Sequence, residues 1–192
     1  MPDIGEAKIL IVATDGFEQS ELTVPLEKLK AAGATVHVAS PQSRQSKDAI
    51  KGWDKTDWGQ SVPVDLDVES VNPADYHALV LPGGQINPDK LRLEAKALDV
   101  IRSFLSEGKV VAAICHGPWL LIEAGAVKGR TLTSFPSIKT DVINAGGDWV
   151  DEEVVTDGGI VTSRKPDDLD AFVAKIIEEV KEGRHEPRQL AA

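Results

Sequence analysis

The chain has one cysteine and no long apolar run. Because a lone cysteine cannot form an internal disulfide, we predict a reducing, cytoplasmic environment in which the thiol stays usable. No apolar stretch approaches the ~20 residues that a transmembrane helix requires. The first residues, 1–6, lack the basic and apolar regions of a signal peptide, so we expect no export and no membrane partner.

Basic residues are scarcer than acidic ones: 21 Lys and Arg stand against 31 Asp and Glu, for a net charge of −10. No local basic patch offsets this excess, so we expect no nucleic-acid partner. The sequence also lacks cysteine clusters and His-x-x-x-His spacing, and its Gly83-Gly84 pair lacks the spacing of a phosphate-binding loop. We therefore predict no metal and no cofactor.

Residues 1–192 are predicted to form one domain in which apolar runs alternate with helical periodicity. Its core extends from about residue 8 to about residue 180, and a polar tail, expected to fray, covers 182–192. The alternation predicts an α/β fold with a doubly wound, mostly parallel sheet and helices on both faces. Strands are expected at 8–13, 35–39, 76–81, 110–114 and 131–133, helices at 21–33, 91–106, 136–145 and 166–180, a hairpin at 153–163, and an irregular polar segment at 41–63.

Cys115 follows the apolar run 110–114 and precedes His116, Gly117 and Pro118. This pattern predicts a buried strand, a sharp turn and a helix that begins at the proline. The small residues two positions before and after the cysteine are similar to those of a nucleophile elbow. A lone buried cysteine can also serve as a small hydrophobe. We favour a functional thiol, because the start of a helix stabilises the thiolate form.

Two further segments end predicted strands at the same edge of the sheet. In the first, Glu18 is predicted to donate a hydrogen bond to the thiolate, which requires a raised pKa; the alternative is a carboxylate that stabilises the start of a helix. In the second, Gly83 and Gly84 offer unobstructed backbone N–H groups. With the amide of His116 they are predicted to hold an oxyanion, although a glycine pair also suits a simple tight turn.

His116 is the candidate general base, and Asp89 is the candidate carboxylate that orients it. Gly117 and Trp119 are predicted to line the pocket beside Cys115. These assignments depend on how the loops at the sheet edge converge.

Two other pairs of residues carry weaker signals. Trp53 and Trp58 flank the irregular segment, where they could wall a pocket or a subunit contact. His37 and His77 fall inside or beside predicted strands, so a structural role is favoured for both.

From residue 8 to about residue 180, the chain resembles the PfpI (intracellular protease I) family of the ThiJ/PfpI superfamily. The resemblance implies a flavodoxin-like fold of the class I glutamine amidotransferase type, with Cys115 as the reactive thiol and Glu18 as its protonated partner. It also implies a homodimer or a higher homo-oligomer. The motifs that carry it are Asp15-Gly16-Phe17-Glu18, Leu81-Pro82-Gly83-Gly84, Ala113-Ile114-Cys115-His116-Gly117-Pro118, Asn144-Ala145-Gly146, Asp151-x-Glu153-Val154-Val155 and Thr162-Ser163-Arg164-x-Pro166.

The same resemblance bears on two individual positions. In the family, an acid just after the Gly-Gly strand, sometimes from a neighbouring subunit, is proposed to complete a Cys-His-acid triad, and Asp89 approximately matches that position. Many members carry glutamine after His-Gly-Pro, where this chain has Trp119. The departure bears on substrate preference rather than on the nucleophile.

The resemblance leaves three functions open, all of which use a reactive thiolate. The first is a stress-response glyoxalase or deglycase that acts on methylglyoxal or on early glycation adducts of proteins. The second is an intracellular cysteine peptidase, and the third is a non-catalytic redox sensor or chaperone that responds to oxidation of Cys115. We rank the first highest, because a small carbonyl substrate tolerates a histidine that is poorly placed for amide hydrolysis.

A class I amidotransferase is a fourth possibility on fold grounds alone. It requires a histidine and an acid downstream of the nucleophile, and His185-Glu186 is the only local candidate. Because this pair lies in the polar tail, an amidotransferase is disfavoured.

Overall fold

The structure is a computed structural model that describes residues 3–190. Its strands are β1 (Lys8–Val12), β2 (Phe17–Glu18), β3 (Thr35–Ser40), β4 (Ala49–Asp54), β5 (Asp57–Pro63), β6 (Leu66–Asp67), β7 (Ala78–Leu81), β8 (Val110–Ile114), β9 (Thr131–Leu132), β10 (Asp148–Trp149), β11 (Val155–Asp157) and β12 (Ile160–Ser163). Its α-helices are α1 (Gln19–Ala31), α2 (Ile86–Leu91), α3 (Ala95–Ser106), α4 (Pro118–Glu123), α5 (Lys139–Asn144) and α6 (Leu169–Glu182).

A seven-stranded sheet in the order β11-β12-β8-β7-β1-β3-β6 forms the centre of the molecule. All neighbouring strands in it are parallel except β11 and β12, which form an antiparallel hairpin. The central strands β7 and β8 are buried at every position, as expected for strands that are covered on both faces. The predicted doubly wound, mostly parallel α/β fold is therefore confirmed.

Alternate residues of the central strands face opposite layers of helices. Ile9 and Ile11 of β1 belong to a core that includes Phe172 of α6, whereas Leu10 belongs to a core that includes Phe104 of α3. Because helices cover both faces, the carboxyl ends of the strands remain as the open edge where loops of the site can meet.

The segment 41–63, predicted to be irregular, contains a β-hairpin. Strands β4 and β5 pair antiparallel, and β4 also pairs in parallel with β2. The prediction was wrong because the strands are largely polar; in β5 only Val62 is buried. The turn also lacks glycine and asparagine, and Lys55 itself takes the left-handed conformation with φ 57°.

The helix predicted at 91–106 is two helices, α2 and α3. The chain leaves the helical conformation at Glu94, whose backbone is extended (φ −91°, ψ 99°). The final helix begins as predicted at Pro166, with a 3₁₀ turn that continues into α6. None of the helices within residues 3–190 combines the length and the apolarity needed to cross a membrane.

Residues 183–190, predicted to fray, pack against the body of the protein. Arg188 is only 5% exposed, and its guanidinium donates to the carbonyl oxygens of Gly158 and of Lys109, the latter at 2.7 Å. A polar composition alone suggested a solvated tail. The buried cation is stable here because backbone carbonyls satisfy its donors.

The packing of this tail also places His185 far from Cys115. The backbone N–H of His185 donates to the carbonyl of Gly108 at 2.8 Å, before β8 begins, whereas Cys115 follows the last residue of β8. A five-residue strand spans about 16 Å at ~3.3 Å per residue. His185 therefore lies at the opposite edge of the sheet and does not form an amidotransferase-type pair with this thiol.

Candidate active site

Cys115 lies directly after β8 on a sharp turn. Its φ of 63° is in the left-handed region, which costs a residue with a side chain about 1–2 kcal/mol. The turn packs closely against β7: a Cβ atom on Gly117 would lie 2.6 Å from the carbonyl oxygen of Leu81. The strand, turn and helix predicted around the cysteine are all present, and α4 begins at Pro118.

The acid beside the thiol is Glu21, in the first turn of α1. Its side chain is fully buried, and its Oε2 accepts a hydrogen bond from the backbone N–H of Gly83 at 2.8 Å. The carboxyl also interacts with the sulfur of Cys115. Among residues 3–190, its Oε1 is buried and has no hydrogen-bond partner at standard geometry.

Glu18, predicted to be the partner of the thiol, caps α1 instead. Its Oε2 accepts hydrogen bonds from the backbone N–H of Glu21 at 2.9 Å and from the hydroxyl of Ser20 at 2.6 Å. Because α1 begins at Gln19, Glu18 occupies the amino-terminal cap, and Glu21 lies on the buried face one turn further along. The structure thus places Glu21 in hydrogen-bonding contact with the sulfur of Cys115, whereas Glu18 lines the same cleft as the thiol without bonding to it.

Burial raises the pKa of both groups in this pair. The pKa of Glu21 rises to about 8, because the carboxyl is removed from water and lies near the charge of Glu18. The pKa of the Cys115 thiol is also raised, first by burial and then by the charge of Glu21, while the N–H groups of Gly84 and His116 oppose the rise. Burial therefore outweighs the stabilisation of thiolate expected from the start of a helix.

The protonation states of the pair are linked by this proximity. Ionised Glu21 repels a thiolate at Cys115, whereas neutral Glu21 removes the repulsion and offers an O–H donor to the sulfur. A thiolate at Cys115 is therefore favoured when Glu21 keeps its proton and donates a hydrogen bond to the sulfur.

The backbone N–H groups that face the sulfur of Cys115 belong to Gly84 and His116. They are the amides nearest to a substrate oxygen that becomes negatively charged when the sulfur attacks the neighbouring carbon. Gly83, also predicted for this role, is occupied, because its N–H donates to Glu21. Gly84 must lack a side chain: its φ is 80°, and a Cβ atom would lie 2.7 Å from neighbouring backbone atoms.

The imidazole of His116 connects Cys115 to Ser137. Its Nδ1 lies 3.1 Å from the sulfur of Cys115, and its Nε2 lies 3.1 Å from the hydroxyl of Ser137. The ring stacks on Phe135 at 4.9 Å and meets the edge of Trp119 at 5.1 Å. Burial lowers the pKa of His116, which favours the neutral ring that a general base requires.

Asp89, predicted to orient His116, lies exposed on α2. Within residues 3–190 of one chain, it forms no hydrogen bond or ion pair with His116, whose partner is Ser137. A contribution of Asp89 from a second subunit, as the family resemblance implies, stays a prediction.

A cleft of about 400 Å³ opens above the thiol. Trp53 and Lys55 of the β4–β5 hairpin form part of its wall, together with Ile86 and Phe135. The hairpin that the sequence reasoning missed thus contributes to the site, and the ring of Trp53 is braced edge to face by Trp58 at 5.5 Å.

Gly117 and Trp119, predicted to line the cleft, are not among the residues of its wall. Gly117 packs against backbone atoms of β7, as described above. Trp119 lies behind His116 and donates a hydrogen bond from Nε1 to Asp141 at 2.8 Å. Its ring thus contacts the imidazole of His116 and does not form part of the wall of the cleft.

Two buried polar side chains that sequence reasoning missed hold the loops of the site. Asn87 is fully buried; its Oδ1 accepts from the backbone N–H of Thr14 at 2.8 Å, and its Nδ2 donates to the carbonyl of Pro82 at 2.9 Å. Asp15 accepts from the backbone N–H of Lys51 at 2.9 Å, which anchors the start of the hairpin.

Two histidines outside the site have the structural roles that were predicted. Nδ1 of His37 lies 2.9 Å from the hydroxyl of Tyr76. Nδ1 of His77 accepts a hydrogen bond from the backbone N–H of Lys8 at 3.0 Å. Both side chains join neighbouring segments of the sheet.

The fold and the site define an α/β protein with a cysteine on a nucleophile elbow. The chain belongs to the DJ-1/PfpI family, whose sequence profile matches residues 7–179. It is 47% identical, over 91% of its length and 99% of the relative's, to a deglycase of Pyrococcus abyssi. It is 43% identical to "Protein/nucleic acid deglycase 2" of Escherichia coli, over 86% of this chain and 92% of the relative.

A solved structure supports the same family assignment. DJ-1beta of Drosophila melanogaster superposes with a TM-score of 0.79 at 31% identity, covering 92% of this chain and 94% of the other. The resemblance to the PfpI family, inferred from the sequence motifs, is therefore confirmed.

The name of the E. coli relative bears on the expectation that this protein has no nucleic-acid partner. We expected no nucleic-acid partner because the chain is acidic and lacks a basic patch. An enzyme that acts on a modified base, however, needs only a pocket for the adduct, not a surface that follows the phosphate backbone. The expectation of no nucleic-acid partner, which was based on net charge, is therefore not supported.

Proposed function

We propose that the protein is a cysteine-dependent deglycase that removes early methylglyoxal adducts from amines. The observation that carries the proposal is the placement of the Cys115 thiol at the floor of an open cleft, between the Glu21 carboxyl and the amides of Gly84 and His116. The deglycase names of relatives at 43–47% identity support the same reaction.

The proposed net reaction needs only water as a co-reactant. A methylglyoxal carbinolamine and one water give the free amine and lactate. The carbon that was bonded to nitrogen is oxidised to a carboxyl group, and the neighbouring ketone is reduced to an alcohol. Because the oxidation and the reduction occur within one substrate, no external electron carrier is required.

In the first step, the sulfur of Cys115 forms a bond to the carbinol carbon, and the C–N bond breaks to release the amine with a proton. The product is a hemithioacetal on the enzyme. Neutral Glu21 is placed to donate a hydrogen bond to the sulfur as the thiol loses its proton, since the two groups interact directly. The Nδ1 of neutral His116 lies 3.1 Å from the sulfur, so His116 can take the thiol proton and pass it to the departing amine.

In the second step, a proton moves from the first to the second carbon of the hemithioacetal, which gives a lactoyl thioester. The amides of Gly84 and His116 hold the negative charge that develops on oxygen during this shift. Water then attacks the thioester carbon, the C–S bond breaks, and lactate and the thiol are released. Neutral His116 is the group available to deprotonate that water.

The test uses a preformed methylglyoxal adduct of N-acetyl-lysine, with release of free amine and of lactate measured together. Wild-type protein should release both in equal amounts, and Cys115→Ala should release neither. A parallel reaction contains a scavenger of free methylglyoxal. Continued release of the amine at an undiminished rate identifies the adduct as the substrate, whereas loss of turnover identifies a glyoxalase that acts on free methylglyoxal.

Other outcomes would reject the proposal. Lactate formation that persists in Cys115→Ala would rule out the thiol mechanism. Cleavage of a peptide substrate without lactate formation would support the cysteine peptidase. If the thiol is oxidised by peroxide but neither reaction occurs, the redox-sensor function would be favoured. A methylglyoxal adduct of deoxyguanosine tests nucleic-acid substrates in the same assay.

We also propose that the protein acts in the cytoplasm as a homo-oligomer. A lone thiol suits a reducing compartment. Leu93, between α2 and α3, is 85% exposed, which is unusual for a large apolar side chain and fits a subunit contact. Light scattering on the wild type and on Leu93→Lys tests this, and a monomeric wild type would reject the assembly.

A further inference from the structure

A second cluster of ionisable side chains lies at the end of α6, away from Cys115. Glu179, Glu182 and His185 each place one carboxylate oxygen or ring nitrogen within 4.8 Å of the others. Glu179 and Glu182 are one turn apart on α6, and Gly183, with φ 94°, ends the helix so that the chain returns with His185. The three residues are spaced three apart in the sequence.

The central carboxylate of this cluster is buried beside the imidazole of His185. Glu179 is 4% exposed, and its Oε2 lies 2.9 Å from the Nε2 of His185. Within residues 3–190, neither atom has a hydrogen-bond partner at standard geometry. Two ligand atoms at this separation can both contact one metal ion that lies beside them, with the carboxylate of Glu182 as a third ligand.

The nearby guanidinium does not supply that partner. Arg188 is buried beside the cluster, but its nitrogens donate to the carbonyl oxygens of Gly158 and Lys109. Lys175, one turn before Glu179, pairs with Glu178 at 2.8 Å. Within the part of the chain that the structure describes, no lysine or arginine therefore pairs with the Oε2 of Glu179, which contacts His185.

His185 is held in a fixed position toward the cluster. Its backbone N–H donates to Gly108 at 2.8 Å, and its ring lies against Gly159, where a Cβ atom would collide with the imidazole. A ligand atom on an anchored residue loses less conformational freedom on binding a metal.

We propose that Glu179, Glu182 and His185 form a binding site for a divalent transition-metal ion, with zinc as the best match. An imidazole nitrogen with two carboxylates suits zinc, which binds both at about 2.0–2.2 Å and completes four-coordination with water. Magnesium and calcium prefer sites built from oxygen alone, so they should bind more weakly.

A metal at this site would join three parts of the fold. It would link α6 to the returning tail, and through His185 to the turn before β8 and to the β11–β12 turn. The site lies at the opposite edge of the sheet from Cys115. Its role is therefore structural, and occupancy should stabilise the fold without changing the chemistry of the thiol.

Zinc binding is best measured by calorimetry on tag-free, full-length protein carrying Cys115→Ala, because the native thiol and His116 could also bind zinc. We expect one zinc ion per chain, with magnesium at least tenfold weaker, and a rise in the thermal midpoint when zinc is added. Adding Glu182→Gln should weaken zinc binding at least tenfold. Since Glu182 is exposed, this substitution does not threaten the fold.

The matched control is Glu178→Gln, an exposed acid on the same helix that lies outside the cluster, and it should leave zinc binding unchanged. His185→Ala should abolish binding, with near-ultraviolet circular dichroism to check the fold. The proposal is overturned if the Cys115→Ala protein does not bind zinc, or if zinc binds equally well in the Glu182→Gln, His185→Ala and Glu178→Gln variants. Either result would leave a simple ion pair between Glu179 and His185.

Discussion

The Nδ1 atom of His116 lies 3.1 Å from the sulfur of Cys115, although the two residues are adjacent in the chain. Neighbouring side chains on a sharp turn usually diverge. Here the left-handed backbone of Cys115 brings them together, and the stacked ring of Phe135 holds the imidazole in place. The far nitrogen of the ring then reaches Ser137 rather than a carboxylate.

This contact makes Ser137 a positioning residue. Ser137→Ala should lower kcat/KM for the adduct about two- to tenfold, which is the effect of one net hydrogen bond of about 0.5–1.5 kcal/mol. The midpoint of the pH–rate profile that reports His116 should also move, because its Nε2 loses a partner. Ser137→Thr keeps the hydroxyl and should restore both properties. Wild-type kinetics and an unshifted profile in Ser137→Ala would contradict this role.

Asp89→Asn is the comparison that separates the two candidates for orienting His116. If the site is complete within one chain, this variant keeps wild-type activity. A large loss in Asp89→Asn, with Ser137→Ala unaffected, would assign the orienting role to Asp89 of a neighbouring subunit.

Glu21 should control the reactivity of the thiol. Glu21→Gln keeps a neutral hydrogen-bond donor at the sulfur and removes the charge, so Cys115 should react faster with iodoacetamide than in the wild type above about pH 8, where wild-type Glu21 is ionised. Glu21→Leu removes the donor and keeps the site apolar, so the reaction should be slower than in Glu21→Gln at every pH.

Glu18→Gln is the control for this experiment, since Glu18 caps α1 and does not bond to the sulfur. It should change alkylation much less than Glu21→Gln does. If the Glu18 variant had the larger effect, the assignment of Glu21 as the acid partner of the thiol would be incorrect.

The raised pKa of Glu21 should also appear in the stability of the fold. Because its pKa rises from 4.5 in the unfolded chain to about 8 in the folded protein, the folded state retains a proton that the unfolded state releases. The free energy of unfolding should therefore fall between about pH 4.5 and about pH 8, by on the order of 5 kcal/mol from this group.

Glu21→Gln isolates this contribution from those of other groups. The lowered pKa of His116 acts in the opposite direction, and the raised pKa of Glu179 acts in the same direction, but both remain in the variant. Urea unfolding of wild type and variant from pH 5 to pH 8 gives the difference. A difference that does not change with pH would show that Glu21 is ionised in the folded state throughout.

The elements of the fold were predictable where short-range patterns determine them. The apolar run before Cys115 and the Gly-Pro pair after it predict the strand, the turn and the start of α4, and the structure has all three. The same reasoning failed for β4 and β5, because a largely polar hairpin that pairs with the two-residue strand β2 has no strong apolar alternation.

To choose between Glu18 and Glu21 as the partner of the thiol, one must know at which residue α1 begins. The sequence does not define that start to within one residue. A signal was nevertheless present: Glu21, Pro25 and Leu29 are spaced four residues apart and are all buried on α1. An acid in an apolar stripe of a helix is costly unless it has a function or a partner. That spacing favours Glu21 over Glu18, which precedes the stripe.

The left-handed conformation of Cys115 allows a last prediction. A residue with a Cβ atom at φ 63° is strained by about 1–2 kcal/mol, whereas glycine adopts this conformation freely. Cys115→Gly should therefore be more stable than Cys115→Ala by about 1 kcal/mol, although glycine normally destabilises a folded protein through the entropy of its unfolded chain. Chemical unfolding at pH 6 measures both variants against the wild type. A less stable glycine variant would mean that the turn relaxes when the thiol is removed, and that the strain belongs to the contacts of the sulfur rather than to the backbone of the elbow.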